Sequence, residues 1–141
     1  MYKFIYLFAL LSFAACNEKE PTSAQCDRAL IVSDTNYKNA KDESDFRIKD
    51  VSIAGNCMKI TYSYGGGCGK IETELVASEN HINNTMELPT RKLKLSIDDK
   101  DNCEALITTT EEFDISALQN SNGSNTTIEL YKWDSLIQYS Y

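Results

Sequence analysis

From Cys26 to the end of the chain, apolar residues recur mostly at every second position, and this spacing constrains the fold more than any other feature. Clear examples are Met58, Ile60, Tyr62 and Tyr64, followed later by Leu93, Leu95 and Ile97. A period of two places alternate side chains on one face of a strand, whereas a helix needs apolar positions three or four apart. The alternation predicts strands at residues 27–33, 46–53, 57–64, 70–77, 91–97, 104–110, 126–133 and 136–141.

Short polar or glycine-rich stretches separate these strands. Residues 54–56 (Ala-Gly-Asn) and 65–67 (Gly-Gly-Gly) can each reverse the chain, and residues 98–102 supply a polar break. Residues 119–125 contain Asn-Gly and no apolar side chain, which predicts an exposed loop before a last hairpin. Residues 113–118 can form either an extended segment or a short turn of helix.

About eight short strands with turns every eight to twelve residues predict an all-β fold, namely an antiparallel, immunoglobulin-like β-sandwich. A closed barrel is the alternative. No long segment has a 3.6-residue period, which argues against βαβ units and the cofactor-binding crevices that accompany them. We therefore expect no cofactor.

The first fifteen residues have the pattern of a cleaved signal peptide. Lys3 lies in a short positive region, Phe4–Phe13 is apolar, and the small residues Ala14 and Ala15 precede Cys16. A membrane-spanning helix needs roughly 20 apolar residues, so this run is too short to span a bilayer.

This segment resembles the lipobox of bacterial lipoproteins, in which a diacylglycerol thioether and further acyl chains such as palmitate modify the cysteine. The resemblance implies lipidation of Cys16, although Phe13 replaces the usual leucine. Ordinary cleavage after Ala14 is the alternative. The chain then divides into a lipoprotein signal peptide (1–15), a polar tether (16–25) and a β-sandwich domain (26–141).

Cysteine parity favours the lipidated form. Of five cysteines, four remain if Cys16 carries lipid, an even set suited to an oxidising compartment: Cys26, Cys57, Cys68 and Cys103. Three pairings are possible. Pairing Cys57 with Cys68 across a hairpin would need a register slip, so we favour Cys26 with Cys57 and Cys68 with Cys103.

The net negative charge of the chain limits which partners it can bind. Without Lys3 the mature chain has 13 basic and 21 acidic residues, and this surplus of carboxylates would repel nucleic acid. Expected partners are a membrane, through the lipid on Cys16, and an unknown envelope protein or glycan.

Three segments resemble uncharacterised envelope lipoproteins of the Bacteroidota: Tyr62–Gly69 with Gly-Gly-Cys, Asp101–Ile107 with Asp-x-Cys-Glu, and Phe113–Ser116. The resemblance covers residues 46–118 and implies a β-sandwich without any activity. The histidine frequent after Gly-Gly-Cys in this pattern is missing, since Lys70, Ile71 and Glu72 follow instead. The acidic tether resembles a surface-export signal, so the resemblance implies an outer-membrane lipoprotein on either the periplasmic face or the cell surface.

Residues that could carry chemistry are sparse. A single histidine, His81, cannot assemble a zinc site with cysteines used in disulfides, and it lies in no triad pattern. Asp98, Asp99 and Asp101 lack the spacing of an EF-hand loop. We expect no catalytic residue and no metal site. Five carboxylates keep open a small polysaccharide hydrolase: Glu72, Glu74, Glu111, Glu112 and Asp114.

Aromatic residues are the better candidates for binding, because tyrosine and tryptophan present rigid amphipathic surface. The candidate patch lies near the C-terminus: Tyr131, Trp133, Tyr139 and Tyr141. The sequence thus predicts a lipid-anchored, non-catalytic envelope protein with a binding or accessory role. A purely structural envelope protein is the further alternative.

Overall fold

The computed structural model describes residues 26–41, 45–79, 90–100 and 103–141. Predictions for the signal peptide, the tether, Cys16, His81 and Asp101 lie outside these residues. In the described part no helix is both long and apolar enough to cross a membrane.

Two β-sheets form the domain. Sheet A has four strands, in spatial order β1 (Arg28–Ala29), β7 (Ala105–Asp114), β4 (Cys57–Gly66) and β3 (Arg47–Ala54). Sheet B has five, in spatial order β2 (Ile31–Val32), β5 (Glu72–Ala77), β6 (Thr90–Asp98), β8 (Asn125–Leu130) and β9 (Ile137–Ser140). One α-helix, α1 (Asp34–Asn39), follows β2, and a 3₁₀ turn (Ser116–Leu118) follows β7.

The predicted all-β sandwich is confirmed, and each predicted strand overlaps an observed one. The described residues form nine strands instead of eight because the first predicted segment divides at Leu30. The Leu30 N–H donates to Asp114 O in sheet A at 3.1 Å, and the Ser33 N–H donates to Ala77 O in sheet B at 3.0 Å. This short segment therefore joins the two sheets.

The sheets are mixed rather than purely antiparallel. Strand β1 is parallel to β7, β2 to β5, and β6 to β8. Strands β6 and β8 are parallel because the chain crosses to sheet A for β7 between them, and a return to the same sheet after one crossing strand restores the original direction.

The two glycine-containing turns behave differently. Gly55, at φ +58°, joins β3 to β4 in a tight hairpin in which Ala54 faces Cys57, as predicted. The predicted reversal at residues 65–67 is wrong. Strand β4 continues through Gly66, which faces Ala105 on β7, and the next strand belongs to the other sheet. The predicted last hairpin is formed by β8 and β9.

The helix α1 was not predicted. The Ser33 side chain caps it by accepting a hydrogen bond from the Asn36 N–H at 3.2 Å, and Asp34 lies in its first turn, where the helix dipole favours a negative charge. None of its residues is buried. A six-residue helix without a buried face has no apolar periodicity to detect.

The core lies between the sheets and consists of the inward side chains of the alternating strands. Almost fully buried members on the strands include Met58, Ile60, Tyr62, Leu75, Leu93, Leu95, Ile97, Phe113, Ile128 and Tyr139. Full burial of one such aliphatic side chain stabilises a fold by roughly 1.5–3 kcal/mol. The period of two in the sequence therefore corresponds to this shared interior.

Both predicted disulfides are present, with Cα atoms 5.5 Å apart for Cys26–Cys57 and 5.8 Å apart for Cys68–Cys103. The first joins the N-terminus of the domain to the β3–β4 hairpin. The second joins the segment after β4 to the segment before β7. Together they link opposite ends of sheet A.

Candidate functional site

On the outer face of sheet B, Lys94 lies on β6, the central strand of the sheet. The Lys94 Nζ is 4.9 Å from the ring centroid of Tyr37 and 5.4 Å from that of Tyr131. These distances are typical of cation–π contacts, which contribute about 0.5–1 kcal/mol each at exposed sites. The two rings and the ammonium form a row across the face, which we call the tyrosine row.

Tyr37 projects from α1, whereas Tyr131 follows β8, and the side chain of Tyr131 is among the exposed large hydrophobic groups. Partial burial, with smaller contributions from Glu129 and Tyr131, raises the pKa of the Tyr37 phenol above its usual value. The phenol therefore keeps its proton at neutral pH and can donate a hydrogen bond.

A polar cleft adjoins the tyrosine row, between the C-terminal half of α1 and the outer faces of β5 and β6. Its volume is about 240 Å³. It is lined by Asn36, Asn39, Ala40, Lys41, Glu72, Glu74, Val76, Ser96 and Asp98. Since Glu72 faces Asp98 and Glu74 faces Ser96 across the β5–β6 pair, the strand register itself places these side chains together.

One wall of the cleft is fixed by internal bonds. The Lys41 Nζ lies 2.8 Å from Asp98 Oδ1, and the Lys100 Nζ lies 3.4 Å from Asp98 Oδ2. The hydrogen bond from Lys41 is the main cause that lowers the pKa of Asp98, which is therefore ionised at neutral pH. The Lys41 N–H also donates to Ser96 Oγ at 3.0 Å.

Four other polar side chains that line the cleft are available for hydrogen bonding. Among the residues that the structure describes, the side chains of Glu72, Glu74, Asn36 and Asn39 have no hydrogen-bond partner. Two carboxylates and two amides thus face one concave space with their donors and acceptors available to a ligand.

The cleft lies at the end of the sandwich away from the Cys26–Cys57 disulfide. Near that disulfide, Tyr139 Oη donates to Asn56 Oδ1 at 2.8 Å, which places the end of β9 and the start of β6 beside the β3–β4 hairpin. Asp98 is at the other end of β6, eight residues on, or about 27 Å at the rise of a strand.

The structure separates the four predicted patch residues into two groups. Tyr139 is fully buried, and its ring centroid is 5.0 Å from that of Tyr141. The Tyr141 Oη accepts from the Asn120 N–H at 2.7 Å. Trp133 packs partly buried against the core at the opposite end. Of the four, Tyr131 is the one in the tyrosine row; Tyr37, Lys94 and the cleft were not predicted.

The five predicted carboxylates also separate. Glu72 and Glu74 face the cleft. Glu111 lies on the inner face of sheet A, where Oε1 accepts a hydrogen bond from Tyr62 Oη at 3.3 Å, whereas Glu112 pairs with Lys59 at 2.8 Å on the outer face. Asp114 Oδ1 accepts a hydrogen bond at 2.9 Å from the N–H of Ser116, the first residue of the 3₁₀ turn.

The described ranges contain no group of three or more His, Cys, Asp or Glu side chains arranged to hold a metal ion. Asp98 is paired with Lys41 and Lys100 instead of being open to calcium.

Comparison with known proteins supports the fold. No protein-family model matches the chain, and no curated protein matches it. A crystal structure of a protein of unknown function, DUF1344, from Bacteroides vulgatus is similar, with a TM-score of 0.56 at 16% sequence identity. The match covers 81% of this chain and 56% of that chain. At this identity the likeness shows a shared fold and carries no activity from one protein to the other.

Proposed function

We propose that this chain is a lipid-anchored, non-catalytic binding protein of the cell envelope, held at the outer membrane through Cys16. The observation that carries the proposal is the use of the cysteines. The two disulfides pair all four cysteines of the domain, so Cys16 is the one cysteine left in the sequence. Disulfides form and persist in oxidising compartments such as the periplasm and the cell surface.

The position of the outer face of sheet B supports a binding role. The part of the tether that follows the lipidated Cys16, residues 17–25, would enter the domain at Cys26, beside the hairpin end of sheet A. A nine-residue tether reaches about 32 Å at most. The polar cleft lies at the opposite end of sheet B, so an anchored domain would present the cleft and the tyrosine row away from the lipid.

The anchor is tested by mass spectrometry of the mature N-terminal peptide after labelling with an alkyne analogue of palmitate. The expected result is a diacylglycerol-modified and acylated Cys16 in the membrane fraction, and loss of both label and membrane retention in Cys16→Ser. A mature protein beginning at Ala15, or one with an unmodified Cys16 thiol, would refute the anchor.

The binding role is tested by affinity capture from detergent-solubilised envelope. Wild-type protein is compared with a variant in which Glu74→Gln and Tyr131→Ala alter the outer face of sheet B. A partner retained by the wild type and lost by the variant is expected. Equal retention by both proteins would show that this face is not the binding surface.

A polysaccharide hydrolase is the second candidate, because two carboxylates occupy one concave site. Glu72 and Glu74 lie two residues apart on β5, about 7 Å along the strand, and Asp98 faces Glu72 from β6. Carboxyl groups about 5–10 Å apart are the arrangement that glycosidases use. Release of reducing ends from envelope polysaccharide, abolished by Glu72→Gln or Glu74→Gln, would favour this candidate over the non-catalytic one.

A further inference from the structure

We propose that the polar cleft binds one uncharged sugar unit of a glycan, and that the tyrosine row lies beside it as a platform for the neighbouring unit. This inference rests on the proposed binding role and names its ligand class. It is carried by three properties of the cleft, namely its hydrogen-bonding groups, its size and apolar surfaces, and its charge.

The hydrogen-bonding groups match a ligand that both donates and accepts. Sugar hydroxyls do both, and the available side chains provide acceptors on Glu72 and Glu74 and donor–acceptor amides on Asn36 and Asn39. Hydroxyl groups that donate to ionised carboxylates form the shorter and stronger class of hydrogen bond. A purely apolar ligand would leave these four polar groups desolvated and without partners, which costs binding free energy.

The size and the apolar surfaces fit a ring of sugar dimensions. A volume of about 240 Å³ lies below the roughly 300–1,000 Å³ of sites for drug-sized ligands, so the cleft accommodates a single ring rather than a larger group. Ala40 contributes apolar surface to its lining, and the almost fully buried Val76 lies beneath it. Next to it, Tyr37 and Tyr131 offer ring surface against which the C–H face of a further sugar can pack.

The charge of the cleft distinguishes among sugars. Three carboxylates and one ammonium line it, so uronic acids and phosphorylated or sulfated sugars would meet like charges. A small cation is disfavoured as well, because Lys41 and Lys100 already occupy both oxygens of Asp98. An uncharged sugar avoids both conflicts.

The test begins with the full mature protein, in detergent, on an array of neutral oligosaccharides that covers the common hexoses, N-acetylhexosamines and pentoses. The best neutral ligand is then measured by titration calorimetry, with trigalacturonic acid as an anionic probe and calcium chloride as a cationic one. Retention of at least one neutral glycan and no measurable binding of trigalacturonic acid are expected. An array without any retained neutral glycan would overturn the inference, as would calcium binding in the cleft without sugar binding.

Variants assign the binding to the cleft. Glu74→Gln and Asn39→Ala should each weaken the neutral ligand, by about tenfold or more for the charged group, because they remove hydrogen bonds without altering the core. Glu104→Gln is the matched control, since it neutralises an exposed carboxylate just before β7 in sheet A. Unchanged melting temperatures verify folding. Equal affinity of Glu74→Gln and wild type would overturn the assignment to this cleft.

The outcome separates this inference from the proposed function. If Cys16 is lipidated and the outer face of sheet B retains an envelope protein, while no neutral glycan binds, the ligand class is wrong and the anchored binding role stands. If the mature protein carries no lipid but binds a neutral glycan through Glu74, the anchor is wrong and the sugar site stands.

Discussion

Replacing Tyr62 with phenylalanine tests how a buried phenol contributes to stability. Tyr62 is fully buried between the sheets, with its Oη 3.1 Å from Thr73 Oγ1 and donating to Glu111 Oε1 at 3.3 Å. Arg28 is the other partner of that carboxylate, with Nη2 at 3.6 Å from Oε1. Tyr62→Phe keeps the ring and removes both hydrogen bonds of the phenol. Because partners of a buried hydroxyl are left unsatisfied, we expect a loss of about 1–3 kcal/mol at pH 8.

The same substitution has a distinct effect at alkaline pH. Burial is the main cause that raises the pKa of Tyr62 to about 12. In the unfolded chain the pKa of a tyrosine is about 10. A raised pKa in the folded state gives stability that is complete below pH 10 and is lost as the pH rises towards 12. At pH 11 the wild type should have lost about 1.4 kcal/mol through this residue, a loss that Tyr62→Phe cannot undergo.

The assay is urea unfolding followed by far-ultraviolet circular dichroism at pH 8 and pH 11. The destabilisation by Tyr62→Phe should shrink by about 1.4 kcal/mol between the two values, since all other tyrosines titrate in both proteins. Tyr131→Phe, at an exposed position, is the control and should change stability by less than about 0.5 kcal/mol at either pH. An equal destabilisation by Tyr62→Phe at both pH values would refute the reasoning.

Three further predictions concern a disulfide, the cleft and a turn. Removing the second disulfide, which closes a loop with a sequence separation of 35, by Cys68→Ala with Cys103→Ala should cost about 2–4 kcal/mol of unfolding free energy. Urea denaturation checks this, and a loss below about 1 kcal/mol would contradict it. Asp98→Asn should flatten the acid side of the curve of unfolding free energy against pH. The lowered pKa of Asp98 gives stability that is present above about pH 4 and is lost as the pH falls. An unchanged acid side of the curve would count against the pairing with Lys41. Gly55→Ala should lower the unfolding free energy by about 1 kcal/mol, because alanine is strained at a φ of +58°. Strain is the only cost, since nothing lies within 4 Å of the added Cβ. Calorimetry that shows no decrease in melting temperature would exclude this strain.

The strands and the disulfides could be predicted from local sequence. Each strand has an inner row of side chains spaced by two, as in Leu93, Leu95 and Ile97, and this spacing is a property of the strand whatever its neighbours are. The pairing of the four cysteines was predicted correctly, although the hairpin used to exclude Cys57–Cys68 does not form, since β4 and β5 lie in different sheets. Gly55 indicated the hairpin because its positive φ is a local requirement.

Only the tertiary structure shows which sheet each strand belongs to and which strands pair within it. Gly65–Gly67 has turn chemistry, yet β4 continues through Gly66 because Ala105 and Leu106 on β7 supply its partners. The parallel pairs likewise result from crossings between sheets, which leave no mark in a short window of sequence. For Tyr139 the alternation allowed either face, and packing against the core decided that it is buried.

By itself, the sequence determined the short alternating strands and an even set of four cysteines from residue 26 onwards, whereas a leader that ends at Cys16 stays a prediction. The tertiary structure alone decided where the candidate site lies. Asn39, Glu74 and Ser96 come from α1, β5 and β6, and they share one cleft only because the β5–β6 register and the docking of α1 bring them together. Local patterns reflect the backbone period, whereas a binding site depends on distances between residues remote in sequence, which only the folded chain sets.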